Sequence, residues 1–324
     1  MRAVVLHEFG PAENLRIETL PDPVPGPGQV RIAVRAAGVH FVETLMRRGE
    51  ADMAPPLPEL PSVFGGEAAG TVESVGPGVG PEWLGRPVVV PRSSPGGYAE
   101  LTVADTGTLH VIPDGLGFEA AVTMVMTGAT TMGLLGMAEL LSDDVVLVTS
   151  AAGGVGRLVV QYAHALGATV VGAAGGPAKA EAVRELGADI AVDYNEPGWQ
   201  HLVAERLGGR RVTAVLDGVS GEKGAAAFEL IADGGRYLVI GWSSQDTFDP
   251  DPALLAERGI TFTNALLQLI ENPGGGPARE RAALEAAAKG QLVPTIQTFP
   301  LERAAEAHAA IERRETTGKV VLVP

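Results

Sequence analysis

Two rhythms of apolar and polar residues divide the chain. Up to about residue 118 the apolar runs are short, with β-prone stretches at 3–6, 30–35 and 71–75. Between them lie Pro21-Asp22-Pro23-Val24-Pro25-Gly26-Pro27-Gly28, a second proline-rich stretch at 54–61, and the turns Gly65-Gly66 and Gly76-Pro77-Gly78. Proline fixes φ and has no N–H, so these prolines exclude helix or central strand. The first part therefore predicts a compact, irregular β-domain.

After Glu119 strand patterns alternate with helix patterns. The predicted strands are 145–149, 169–171, 190–192, 212–216, 236–240 and 260–263; the predicted helices are 155–166, 178–186, 199–207, 223–231 and 252–257. Apolar side chains at 155, 158, 159, 162, 163 and 166 share one helical face. Near-continuous apolar strands separated by such helices imply a parallel sheet covered on both sides. The tail predicts helices at 279–289 and 301–314, then a strand at 319–323. No helix follows that strand, so it need not extend the parallel sheet.

A length of 324 residues suggests two domains. The formal net charge of -15 opposes nucleic-acid binding, which needs a cationic face. The chain has no cysteine, which removes disulfides, thiolate nucleophiles and cysteine-ligated metal centres together. The apolar run at the N-terminus is short and ends in charge, unlike a secretory signal. Residues 120–138 and 158–178 lack charge for about the length of a membrane span. The first is rich in Thr and Gly, and the second holds polar residues and a Gly-Gly-Pro break, so both are expected to be buried in a soluble, cytoplasmic protein without membrane association.

The strongest motif is Val145-Val146-Leu147-Val148-Thr149-Ser150-Ala151-Ala152-Gly153-Gly154-Val155-Gly156. A buried strand, a glycine-rich turn and an amphipathic helix are the context of a dinucleotide fingerprint, although Ala151 replaces its first glycine. Gly153 lets backbone approach a pyrophosphate, Gly156 lets the helix pack on the strand, and the first helical N–H groups attract phosphate. The next strand ends Gly172-Ala173-Ala174-Gly175-Gly176, with no carboxylate to hold a ribose diol or repel a 2′-phosphate, and Lys179 follows. This favours NADPH over NADH, unless Lys179 is a plain surface lysine.

Further segments join this turn: Met1-Arg2-Ala3-Val4-Val5, Pro25-Gly26-Pro27-Gly28-Gln29-Val30, Ala36-Ala37-Gly38-Val39 and Gly97-Tyr98-Ala99-Glu100. Others are Asp217-Gly218-Val219-Ser220-Gly221, Gly234-Gly235-Arg236, Ala305-Glu306-Ala307-His308 and Thr316-Thr317-Gly318-Lys319-Val320-Val321-Leu322. In this order and spacing the chain resembles the zeta-crystallin-like quinone oxidoreductases of the medium-chain dehydrogenase/reductase superfamily. The resemblance implies an α/β protein, a Rossmann doubly wound parallel sheet (120–263) inserted in a mainly β, GroES-like catalytic domain (1–119 plus 264–324). It implies a cofactor in the cleft between the domains, and a homodimer joined through the sheet edge near 260–263. It assigns Ala152, Gly153, Gly154, Val155 and Gly156 to the pyrophosphate, and Gly172, Ala173, Lys179 and Tyr194 to the adenosine ribose and its phosphate. Thr130, Ile240, Gly241 and Ser243 fall to the nicotinamide half, with Arg314 a further basic position on the cofactor side.

The departures bear on chemistry. His40 stands where such reductases commonly carry Asn, Glu43 where they carry Asp, and Leu45 at a position often aromatic. Against zinc alcohol dehydrogenases, His40 takes the catalytic cysteine position and Gly66 that of the ligand histidine, while Glu67 remains. Too few ligands are left for catalytic zinc, which needs three.

The implied activity is hydride transfer from NADPH to a small quinone or α,β-unsaturated carbonyl, without zinc. His40 is the candidate donor to the developing oxyanion, or else a wall of the pocket. Glu67 is expected to bond backbone in preference to tuning His40. Tyr98 is expected to pack in the β-domain, and His7, His110, His164, His201 and His308 show no partners in sequence. Two alternatives stay open: a dedicated biosynthetic enoyl reductase, and a non-catalytic NADPH-binding structural or sensory relative. The substrate pocket walls are expected around 44–64 and 242–247.

Overall fold

A computed structural model describes residues 1–50, 56–91 and 96–324, so part of the proline-rich 54–61 stretch and of the expected pocket wall at 44–64 lies outside the described residues. The chain forms two compact units, Met1–Met126 with Glu280–Pro324, and Thr127–Arg279.

In the first unit the eleven-residue strand Gln29–Val39 is the axis of a seven-stranded sheet. It pairs antiparallel with Glu67–Val75, with Leu101–Asp105 and with Lys319–Val323. Alternation along it buries Val30, Ile32 and Val34 against Leu6, Phe64, Val88 and Leu322. The strand runs further than the predicted 30–35, through Ala36, Ala37 and Gly38. A smaller sheet orders Leu15–Thr19, Arg2–Leu6 and Ser62–Val63.

The second unit is a six-stranded parallel sheet. Its order is Ile190–Asp193, Thr169–Ala174, Val145–Thr149, Val212–Asp217, Ile231–Val239, Thr261–Asn264. Neighbouring residues of one strand enter different cores. Val146 and Val148 join Leu134, Val159 and Val160, whereas Val145 and Leu147 join Val203, Phe228 and Tyr237. Both faces are therefore covered, as the uninterrupted apolar strands predict.

The differences from the sequence prediction are local. The helix predicted at 223–231 is Gly221–Phe228, because Ile231 is drawn into a strand and pairs with Val212 before a bulge. The helix predicted at 301–314 is a 3-10 turn at Leu301–Arg303 followed by Ala304–Glu312. Lys319–Val323 runs parallel to Ile296–Pro300 in the first unit's sheet. The sequence set the domain joins at 119/120 and 263/264, and the chain passes between compact units at 126/127 and 279/280. Helix Phe118–Thr123 packs on Gln29–Val39, and helix Ala265–Glu271 packs on helix Ala129–Ala138.

A π-helical turn, Met124–Gly128, links those two helical pieces. The continuous segment Phe118–Ala138 is long and apolar enough to cross a membrane by length and composition, yet 67% of its most apolar window is buried within the protein.

Candidate functional site

Strand register builds the first constellation. Val320 pairs with Val39, which sets Lys319 opposite His40, and on the other side of the same strand Gly38 pairs with Glu67. Gly38 has no side chain, so the Glu67 carboxylate can cross over it. His40 Nε2 lies 2.9 Å from Glu67 Oε1, Lys319 Nζ lies 2.7 Å from the same oxygen, and Nζ and Nε2 are 2.9 Å apart. Three polar atoms thus form a near-equilateral triangle. Glu67 and Lys319 are buried, while the His40 side chain keeps 26% of its surface exposed.

Burial alone would push the Glu67 carboxyl up, but the neighbouring His40 and Lys319 more than reverse this and hold it below the usual carboxylate range. The expectation that Glu67 bonds backbone is corrected here: its partners are two side chains, one on a strand at the far end of the sequence. Lys319 was quoted in a motif but given no role, because only the sheet register brings it near His40.

A second network sits beside the triangle. Glu43, in the first turn of helix Phe41–Arg48, accepts from His40 N at 2.8 Å, Gly66 N at 2.9 Å and the Tyr98 hydroxyl at 2.7 Å. It fixes the backbone that carries His40. Tyr98 is buried as expected, and its hydroxyl also lies 3.2 Å from His308 Nε2. Three histidines that showed no partner in sequence have one: His308 bonds Tyr98, His7 pairs with Glu18 and His110 with Glu280. Burial, then the charge of Arg47, pushes the His308 imidazole down to about 3.

The glycine-rich turn belongs to the second unit. Ser150 adopts a left-handed φ of 53°, Gly153 caps the helix, and Gly154–Leu166 follows. A methyl on Gly156 would lie 2.3 Å from the Ser150 carbonyl oxygen, so helix and turn can approach this closely only with glycine there. Among the described residues no side chain caps the helix start, which leaves the first-turn N–H groups of Gly154 and Val155 without a side-chain acceptor there.

The other sequence-assigned residues cluster at the same end of the sheet. Ala151 N donates to Ala173 O at 3.0 Å, Ile240 N to Asp217 O at 2.7 Å and Ser243 N to Gly218 O at 3.2 Å. Gly241 lies against Gly218, which in turn lies against Ser150. Gly172 is explained by packing, since a methyl there would fall 2.3 Å from Val183 Cγ1.

Sequence reasoning assigned no role to Asp217, a buried carboxylate that ties these strand ends together. It accepts from the Thr149 hydroxyl at 2.5 Å, Val219 N at 3.0 Å and the Tyr237 hydroxyl at 2.8 Å. Lys179, half-buried, lies in the first turn of Pro177–Glu185, and Tyr194 borders Gly175 on the adjoining loop. Lys223 was also missed: its Nζ donates to Tyr194 O at 2.7 Å and sits 4.9 Å from that ring's centroid. Thr130 lies in helix Ala129–Ala138. Arg314, like His40, belongs to the first unit, where it stacks 4.5 Å above the Phe41 ring. Among the described residues no group of three or more His, Cys, Asp or Glu could hold a metal ion.

Comparison with known proteins agrees with this arrangement. Residues 26–114 match the family described as alcohol dehydrogenase GroES-like domain, and residues 154–273 match the zinc-binding dehydrogenase family. A quinone oxidoreductase of Pseudomonas aeruginosa is 32% identical, covering 98% of this chain and 97% of the relative. A 2-haloacrylate reductase of a Burkholderia species is also 32% identical, covering 99% and 98%. The crystal structure of Escherichia coli quinone oxidoreductase complexed with NADPH superposes with a TM-score of 0.87 at 28% identity, covering both chains completely. The chain belongs to the quinone oxidoreductase family of the medium-chain dehydrogenase/reductase superfamily, and it is an oxidoreductase.

Proposed function

We propose that this protein is a soluble, cytoplasmic, NADPH-dependent reductase that transfers a hydride, without zinc, to a small quinone or α,β-unsaturated carbonyl compound. The reading is carried by the triangle of His40, Glu67 and Lys319. In zinc dehydrogenases the corresponding region supplies metal ligands; here an ammonium group already lies within 2.7–2.9 Å of the two atoms a metal would need. The donor set does not fit zinc, since the usual cysteine and histidine positions hold His40 and Gly66.

The residues of the second unit do fit a dinucleotide. The turn at Ala152, Gly153, Gly154, Val155 and Gly156 presents uncapped N–H groups to a pyrophosphate. Gly172, Ala173, Lys179 and Tyr194 are assigned to the adenosine end, where Lys179 favours a 2′-phosphate. Thr130, Ile240, Gly241 and Ser243 are assigned to the nicotinamide half, and Arg314 to the cofactor side.

When bound, the nicotinamide supplies the hydride. An electron-poor alkene or quinone accepts it and carries the negative charge on oxygen, so no Lewis acid is required. His40 provides a hydrogen bond and a proton to that oxygen. Glu67 positions the ring, and Glu43 fixes the backbone beneath it. The 2-haloacrylate reductase relative supports an activated alkene as the substrate class. A homodimer joined through the edge strand Thr261–Asn264 would cover an exposed sheet edge.

The test follows NADPH absorbance with a panel of simple quinones and enones. Consumption with one or more is expected; none across the panel, or alcohol oxidation that appears only on adding zinc, overturns the proposal.

A further inference from the structure

The parallel register that pairs Leu216 with Val148 sets Asp217 beside Thr149, each the last residue of its strand and each fully buried. The Thr149 hydroxyl works in both directions: it donates to Asp217 Oδ1 at 2.5 Å and accepts from Gly218 N at 2.9 Å. The same carboxylate accepts from Val219 N at 3.0 Å, Ser220 N at 3.1 Å and the Tyr237 hydroxyl at 2.8 Å. Gly224 leaves room for it, since a methyl there would lie 2.7 Å from Asp217 Oδ2. These bonds hold Ser220 at a φ of 66°, which a residue with a side chain keeps only where its surroundings fix it.

The turn in its place holds the loop that follows strand Ile231–Val239. Gly218 O accepts from Ser243 N at 3.2 Å, and Val219 O accepts from Ser244 N at 3.1 Å and from the Ser244 hydroxyl at 2.6 Å. Ser220 Oγ accepts from Phe248 N at 3.0 Å, and Gly241 packs on Gly218. Three successive turn residues thus carry the segment 241–248. The pyrophosphate turn has separate ties: Ala151 N donates to Ala173 O at 3.0 Å and Gly153 N to Ser150 O at 2.9 Å. Loss of the Thr149 hydroxyl therefore loosens the 217–221 turn and its loop and leaves the 151–156 turn in place.

We propose that Thr149 and Asp217 are positioning residues of the cofactor site: a hydroxyl–carboxylate clamp that sets the wall for the nicotinamide half of NADPH and leaves the adenosine half alone. This rests on the reading above, which assigns Ile240, Gly241 and Ser243 to the nicotinamide half. Both side chains are fully buried, so they act through the backbone they hold and not by contact with the ring. Hydride transfer depends on the distance and angle between the ring and its acceptor, and a misplacement of about 1 Å costs on the order of a hundredfold in rate. A wall free to shift therefore lowers both NADPH affinity and turnover, whereas a ligand that lacks the nicotinamide does not register the change.

Calorimetric titration with NADPH, and with adenosine 2′,5′-bisphosphate as the probe without nicotinamide, separates the two halves. Thr149→Val keeps the shape and removes the hydroxyl; it should weaken NADPH about tenfold, lower kcat on an enone about tenfold and leave bisphosphate affinity unchanged. Thr149→Ser keeps the hydroxyl and should restore all three values. Asp217→Asn, which turns one accepting oxygen into a donor among donors, should act in the same direction as Thr149→Val. Wild-type NADPH affinity and kcat in both Thr149→Val and Asp217→Asn overturn the clamp, and so does equal weakening of NADPH and bisphosphate, which marks general damage to the fold. If wild type is active and the variants match it, the clamp alone falls. If wild type reduces no quinone or enone, yet the variants lose NADPH and keep the bisphosphate, the reductase reading falls and the clamp stands.

Discussion

Gly38 and Glu67 contend for the same space: a methyl group on Gly38 would fall 1.8 Å from Glu67 Oε1. The absence of one side chain on the central strand is what allows a buried carboxylate to reach across it to His40 and Lys319. Gly38→Ala should therefore push Glu67 away from both partners. The expected outcome is a stability loss of about 1–3 kcal/mol from overpacking and a kcat reduced more than NADPH affinity. Thermal melts and steady-state kinetics check it; wild-type kcat in a folded variant would show that Glu67 need not reach His40.

His40→Ala should lower kcat on an enone by about a hundredfold, the lower range for loss of a positioned acid, and leave NADPH affinity nearly unchanged. A raised KM at constant kcat would instead make His40 a wall of the substrate pocket.

Cofactor choice is expected to depend on Lys179. A charge-assisted hydrogen bond contributes about 1.5–3 kcal/mol, or roughly ten- to hundredfold in affinity. Lys179→Ala should weaken NADPH by that factor and leave NADH nearly untouched. Equal weakening of both cofactors contradicts the assignment. Lys223, on Tyr194 nearby, is the control: Lys223→Ala should weaken NADPH less than Lys179→Ala if Lys179 carries the contact.

His308 makes acid stability testable. The buried ring titrates near 3 in the folded chain against an ordinary 6.5, so below about 6.5 the unfolded chain takes up a proton that the folded chain refuses. Its stabilising contribution is complete above 6.5 and declines as pH falls toward 3, by at most about 1.4 kcal/mol per pH unit. Glu67, held low, adds loss in the same direction at the acid end. Among the described residues His308 Nδ1 has no hydrogen-bond partner, and the ring lies among Phe64 and Tyr98, so His308→Phe should fold. Denaturant midpoints between pH 7 and 4 should fall less steeply in that variant; equal slopes would assign the acid sensitivity to other groups.

Much of this architecture was legible from local pattern. Strand Val145–Thr149, helix Trp199–Leu207 and strand Lys319–Val323 have the predicted bounds, because apolar patterning defines them locally, helped by Gly198, Gly208 and Gly318 beside the last two. Gln29–Val39 was read short because Ala36, Ala37 and Gly38 lack the branched side chains that signal a strand. Those small residues are what the Glu67 crossing requires. The site was half legible: the resemblance marked His40 and Glu67 by their positions, but Lys319 lies 279 residues from His40 and meets it only through sheet register. Asp217 and the Tyr98–His308 bond were hidden for the same reason. Long-range polar pairing leaves no periodic trace in one sequence.

The central claim, zinc-free reduction by NADPH, is tested most directly by one assay. Purified protein, stripped of metal with a chelator and checked by elemental analysis, is mixed with NADPH and a quinone or enone while the absorbance of NADPH is followed. Undiminished NADPH consumption with no stoichiometric zinc is the predicted result. About one tightly held zinc per chain, with turnover lost on its removal and restored on its return, would contradict the account.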